Sequence, residues 1–209
     1  MTAPALEVPG LRLRPSAWSP RVAPSREVAR WRFRNLPNLL RGAWRIAAAR
    51  ALGISHIYGA LYLVVRAANG DWIDYGLASL RVVTTAGVGY IVDAFQNLVE
   101  PENMKFHGIG TGTTAESSAQ TALVTELTTQ YNPDSTRATG TLTESASNIF
   151  ETVGTNTVDA AVAITEHGVF SQAAVAGGVM IDRSVFAAIN LSSGDGLQST
   201  YDLTFPAGS

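Results

Sequence analysis

The chain has 209 residues, 46% hydrophobic and only 15% charged, enough for one large or two small domains with a sizeable core. It has no cysteine, which excludes a disulfide framework and a thiolate metal site. The net charge of −2 hides an asymmetry: residues 1–56 carry ten arginines against two acids, Glu7 and Glu27, whereas the remainder carries five basic residues against fifteen acids.

A basic arm joined to an acidic body suggests an arm that docks on something acidic: nucleic acid, an anionic membrane or another copy's body. The low charge and 19 glycines suit a β-rich protein with many turns, part of whose surface is covered by other subunits. No stretch reads as a membrane span, since the longest apolar run, residues 51–65, is too short to cross a bilayer. The start is not a secretory signal, because prolines and arginines interrupt it. An Arg-rich, acid-poor leader can be an organelle transit peptide, but six prolines in the first 37 residues are poor for a transit helix.

Residues 1–27 contain Pro4, Pro9, Pro15, Pro20 and Pro24 at near-regular spacing, which predicts an extended arm without a core of its own. The plainer reading is a disordered tail; Trp18 and the leucines around Arg12 and Arg14 favour an arm that orders on a partner. Residues 28–52 predict a helix. Leu36, Leu39, Leu40, Ala43, Trp44 and Ala47 follow helical spacing on one apolar face, with Arg34, Arg41 and Arg45 on another side. Pro37 fits the first turn of that helix, after Asn35 as cap. Such a helix suits a membrane surface, nucleic acid, a partner's groove, or plain packing on its own domain with solvated arginines.

From Gly59 the period becomes that of strands. Expected strands are residues 61–65 and 72–84, joined by the Asn69-Gly70 turn, then a short helix over 85–98 ended by Pro101, then a strand over 103–112. Residues 113–135 read as a Ser/Thr/Ala/Gly-rich connection. Short strands follow at 138–143, 148–153, 157–164, 168–171 and 179–181. The chain closes with residues 184–191 and 197–205, expected to pair as a hairpin through the Ser192–Gly196 turn. The expected fold is mainly β: an antiparallel, jelly-roll-like β-sandwich body over 57–209, with one or two helices and an extended N-terminal arm over 1–56.

Catalytic and binding motifs are weak. Gly108-Ile109-Gly110-Thr111-Gly112 lacks the further glycine and the following helix of a dinucleotide loop, and no Gly-Lys-Ser/Thr is present. His107, His167 and Glu166 could be drawn as a metal set, but a strand puts the neighbours Glu166 and His167 on opposite faces. Ser184, Asp182 and His167 could be drawn as a triad, but no nucleophile elbow surrounds Ser184. The expectation is a non-enzyme with no cofactor and no metal.

A series of short motifs adds to this: Phe106-His-Gly-Ile-Gly-Thr-Gly-Thr-Thr, Thr121-Ala-Leu-Val-Thr-Glu-Leu, Arg137-Ala-Thr-Gly-Thr, Thr165-Glu-His-Gly-Val-Phe-Ser, Asp182-Arg-Ser-Val-Phe, and the run from Gly194 to Phe205. Together they resemble tailed-bacteriophage virion structural proteins, over about residues 60–206. The resemblance implies a virion component, a capsid cement or decoration protein on the head, with the major capsid protein and copies of itself as partners. A tail, collar or fibre-associated protein, touching host glycans through loops such as 113–135, is the alternative. A glycan-cleaving enzyme and a nucleic-acid-binding arm are less favoured, and no membrane is expected.

The physical reading is compatible. An extended arm of 27 residues reaches roughly 80–90 Å, and arginine forks suit the carboxylates of an acidic shell. The expected partner-binding residues are Arg12, Arg14, Trp18, Arg21, Arg26, Arg30, Trp31, Arg32, Arg34, Arg41, Trp44 and Arg45.

Overall fold

The computed structural model describes residues 25–207. Arg12, Arg14, Trp18 and Arg21 therefore lie outside the described residues. The body is mainly β, with two antiparallel sheets and two helices.

Helix α1 spans Arg26–Ala51. Its N-cap is Ser25, whose hydroxyl accepts from the Val28 amide at 3.2 Å. The helix starts two residues before the expected 28, and the expected cap at Asn35 is corrected: Asn35 and Pro37 lie inside the helix. A proline there removes one backbone donor, the partner of the Phe33 carbonyl. Residues 33 and 37 face away from the sandwich, where water can solvate that carbonyl.

Strands β1 (Tyr58–Arg66) and β2 (Trp72–Val82) form a hairpin. Helix α2 (Thr85–Phe95) is capped by Thr84, which accepts from the Gly87 amide at 2.9 Å. A 3-10 turn at Pro101–Asn103 leads into β3 (Phe106–Gly110). After the long connection come β4 (Ala138–Thr139), β5 (Thr141–Ala146), β6 (Ile149–Thr157), β7 (Val162–Phe170), β8 (Met180–Leu191) and β9 (Gly196–Thr204). One sheet has the order β2-β1-β9-β6-β5 and the other β4-β3-β7-β8.

Three expectations change. Residues 157–164 and 168–171 are not two strands: Val162–Phe170 form the single strand β7, Thr157 ends β6, and Asp182-Arg183 falls inside β8 rather than between two strands. Polar residues in mid-strand read as breaks, yet here they have buried partners. Strands β8 and β9 are also not a hairpin, because they belong to different sheets. The turn between them carries the chain across the sandwich. Asp195 holds it, accepting from Ser192 N at 2.7 Å and from Ala68 N of the neighbouring β1–β2 turn at 2.8 Å.

The sheets pack face to face. Leu61, Leu63, Val65 and Leu197 from one sheet meet Ile109, Ile164, Ile189 and Leu191 from the other, together with Val28 and Trp31 of α1. Helix and sandwich thus share one core. A second apolar cluster holds Val83, Tyr90, Met104, Val169, Ile181, Tyr201 and Leu203. Polar residues fall between the two clusters. On β7, His167 lies between Ile164 of one and Val169 of the other; on β9, Ser199 lies between Leu197 and Tyr201.

Candidate functional site: a helix docked by its polar face

Strands β2 and β8 are the edges of their sheets, so each has backbone groups without a strand partner. Helix α1 lies along both. Asn35 donates from Nδ2 to the Ala78 carbonyl at 2.8 Å and accepts the Ala187 amide on Oδ1 at 3.0 Å, so one buried amide group bridges the two edges. Trp31 donates from its indole to the Ala187 carbonyl at 2.6 Å, and Asn38 donates to the Val185 carbonyl. Arg32 donates to the Tyr75 and Asp74 carbonyls at 3.2 and 3.1 Å. Gly42 has its backbone against Leu80, where any Cβ would collide with the Leu80 carbonyl oxygen. A few residues further on, Arg81 of β2 pairs with Glu116 at 2.6 Å, and Glu116 accepts the Val185 amide of β8 at 2.8 Å.

The expected apolar face is therefore not the docked one, which corrects the reading of plain packing on its own domain through that face. The buried positions are Val28, Trp31, Asn35, Gly42 and Ile46. The outward face carries Phe33 (77% exposed), Leu36, Leu40 and Trp44 (74% exposed). At 100° per residue, Phe33, Pro37, Leu40 and Trp44 form one stripe opposite the docked face, and Arg30, Arg34, Arg41 and Arg45 form a second stripe beside it. The physical cause is that edge-strand backbone needs hydrogen-bonding side chains and close approach, which Asn35, Asn38 and Gly42 supply and leucines do not.

The expected partner-binding residues therefore divide. Arg26, Arg30, Arg34, Arg41, Trp44 and Arg45 are exposed on α1. Trp31 is a correction: it is 1% exposed, packs edge-on against Tyr75 with ring centroids 5.0 Å apart, and belongs to the core. Arg32 bonds the chain's own β2 edge. Phe33, Leu36 and Leu40 are outward-facing and were not among the expected contact residues. Their helical period was visible in the sequence, but a period shows that a stripe exists without showing whether it is covered.

The residues drawn above as a metal set and a triad have internal partners. His107 Nδ1 lies 3.0 Å from His167 Nε2, and His107 Nε2 lies 3.1 Å from the Thr152 hydroxyl, with both rings fully buried. Burial pushes the His107 pKa down to about 3, and burial with the neighbouring His107 pushes His167 well below its usual value. Both rings are neutral, so one facing nitrogen donates and the other accepts.

Ser184 donates to Asp182 at 3.0 Å. Asp182 is buried and its pKa is pushed up to about 7 by desolvation. Neither Ser184, Asp182 nor His167 is more than 2% exposed. This is a closed polar seam rather than a triad open to substrate.

Glu166 points to the other face of β7. Its carboxylate accepts the amides of Gly112, Val124 and Thr125 at 3.0, 3.1 and 2.7 Å, and Arg183 lies 2.7 Å from it. Arg183 in turn donates to the Thr114 carbonyl at 3.0 Å. Arg137 binds Glu126 in a two-pronged pair at 2.6 and 2.9 Å and lies 3.4 Å over the Phe170 ring. The connection 113–135 is thus laid down on the sheet at several points. The glycines of 108–112 serve close packing: a Cβ at Gly112 would meet the Glu166 carboxylate at 2.5 Å.

Among the described residues there is no group of three or more His, Asp or Glu positioned to hold a metal ion, and no helix long and apolar enough to cross a membrane. In sequence comparisons the chain matches no protein-family model and no curated protein.

Proposed function

We propose that this chain is a non-enzymatic virion structural protein of a tailed bacteriophage, a capsid cement or decoration protein that grips the head shell through its N-terminal arm. The observation that carries the reading is the outward face of α1. An aromatic and aliphatic stripe, flanked by four arginines, stands on a helix bonded to both sheet edges, and the Pro- and Arg-rich residues 1–24 run directly into it. A large exposed apolar stripe is what an assembly component presents before its partner covers it. A nucleic-acid face would set its arginines toward phosphates without needing Phe33, Leu40 and Trp44 between them and the ligand. The motif resemblance over residues 60–206 supports the same class. The attachment of 113–135 through Glu166 and Arg137 favours a head component over a tail protein that presents that segment to host glycans.

The test is electron cryomicroscopy of intact particles made with the full chain and with a chain lacking residues 1–24. Deletion should stop at 24, because removing α1 would bare the β2 and β8 edges and unfold the body. The expected result is many copies at symmetry-related positions on the head, and loss of occupancy and of shell stability when the arm is absent. A position at a single vertex, or full occupancy without the arm, would overturn the proposal.

A further inference from the structure

A second exposed apolar stripe lies on α2. Val88, Val92 and Phe95 recur at i, i+4 and i+7 on the side of α2 opposite the buried Gly87 and Tyr90, and Leu98 continues the stripe. Phe95 is 85% and Leu98 67% exposed. The surroundings are acidic: Asp93 is on α2, Glu102 is on the 3-10 turn that packs against it, and Glu100 precedes that turn as its N-cap. Residues 82–104 contain these three acids and neither lysine nor arginine. Over residues 26–51 the balance is reversed, seven arginines against Glu27.

We infer that the outward face of α1 in one copy docks on the α2 surface of a second copy. Two apolar stripes match apolar against apolar, and the arginine stripe of α1 meets the exposed Glu100 and Glu102. Four i, i+3 or i+4 positions on α1 span about 16 Å and the α2 stripe about 10 Å before Leu98 extends it, so one can cover most of the other. An α1–α1 contact would set arginines against arginines. The contact proposed is heterologous, the α1 face of each copy meeting the α2 face of the next, and such contacts close into rings or run on as open chains. The inference deepens the assembly reading by naming the partner of the α1 face. It leaves residues 1–24 to the shell.

The experiment is sedimentation velocity of the full chain across a dilution series, with Trp44→Asp and Phe95→Asp made separately. Both side chains are exposed, so each variant should keep the parent's circular dichroism and melting curve. The parent should form species larger than a dimer, and added salt should weaken them. Each variant should lose association by about tenfold or more. An equimolar mixture of the two should form a dimer and stop there, because each retains one intact half of the contact. As a second route, Arg41→Glu should weaken assembly and Glu100→Arg in the same chain should restore it. A parent that stays monomeric at every concentration overturns the inference, as do variants that assemble like the parent or a mixture that stays monomeric. Binding of the monomer to phosphatidylserine vesicles in place of self-association would also overturn it. Self-association is read without particles, so its failure is distinguishable from failure of the capsid proposal.

Discussion

Asn35 of the helix accepts the backbone amide of Ala187 on β8 at 3.0 Å, and its other amide atom reaches the Ala78 carbonyl of β2 at 2.8 Å. One side chain thus does for two edge strands what a further strand would otherwise do. Replacement of Asn35 by leucine leaves both backbone groups buried and unsatisfied, at about 1–2 kcal/mol each. A lowered urea midpoint with an unchanged slope is the expected measurement, corresponding to a loss of about 2–4 kcal/mol. A stability within about 0.5 kcal/mol of the parent would mean that the helix does not close these edges.

Gly42 tests the same docking by shape. A methyl group there collides with the Leu80 backbone, which is part of β2 and cannot swing aside. Gly42→Ala improves intrinsic helix propensity, yet should destabilise by about 1–3 kcal/mol through forced displacement of α1. Thermal melts read the sign, and a stabilised variant would show that α1 does not pack this closely.

The buried seam makes stability depend on pH. Asp182 is held up to about 7 in the fold against 3.8 unfolded. Between those values the unfolded chain releases a proton that the native chain keeps, so this group lowers stability as pH rises. His107 is held down to about 3 against 6.5, and His167 is shifted the same way. Below 6.5 the unfolded chain therefore takes up protons that the native chain refuses, so the histidines lower stability as pH falls. Two histidines outweigh one carboxylate between 3.8 and 6.5, and only the carboxylate acts from 6.5 to about 7. The seam's own contribution is greatest near pH 6.5. Asp182→Asn keeps an acceptor for Ser184 and removes the penalty, raising stability at pH 8 by up to about 4 kcal/mol and leaving it little changed below pH 4. Urea titrations at pH 4, 6.5 and 8 check this; an equal effect at all three, or no gain at pH 8, would contradict it.

Glu166→Gln should be the most damaging of these substitutions. It leaves Arg183 buried without its counter-charge, a change of about 3–5 kcal/mol. It also weakens the acceptor for the Gly112, Val124 and Thr125 amides. Hydrogen exchange should therefore rise first over 112–125, ahead of the β1–β9 ladder. Uniform exchange across the chain would show that the connection is held by other contacts.

Local features were legible in the sequence. Helical period marked both helices, Asn69-Gly70 and Gly194-Asp195 marked turns, and alternation over 197–205 marked β9. Apolar spacing also marked the stripes on α1 and α2, and the charge count marked the contrast between the basic arm and the acidic body. Which face of α1 is covered depends on the packing of the two sheets. Edge strands present backbone donors and acceptors, and these select Asn35, Asn38 and Gly42 over Leu36, Leu40 and Trp44. The tertiary structure likewise decided that Glu166, His167, Asp182 and Arg183 continue strands instead of ending them. A buried polar side chain is tolerated only when partners distant in the chain arrive to meet it, such as His107 for His167 and the 112–125 backbone for Glu166. Those meetings are made by the pairing of β3, β7 and β8, which no local pattern encodes.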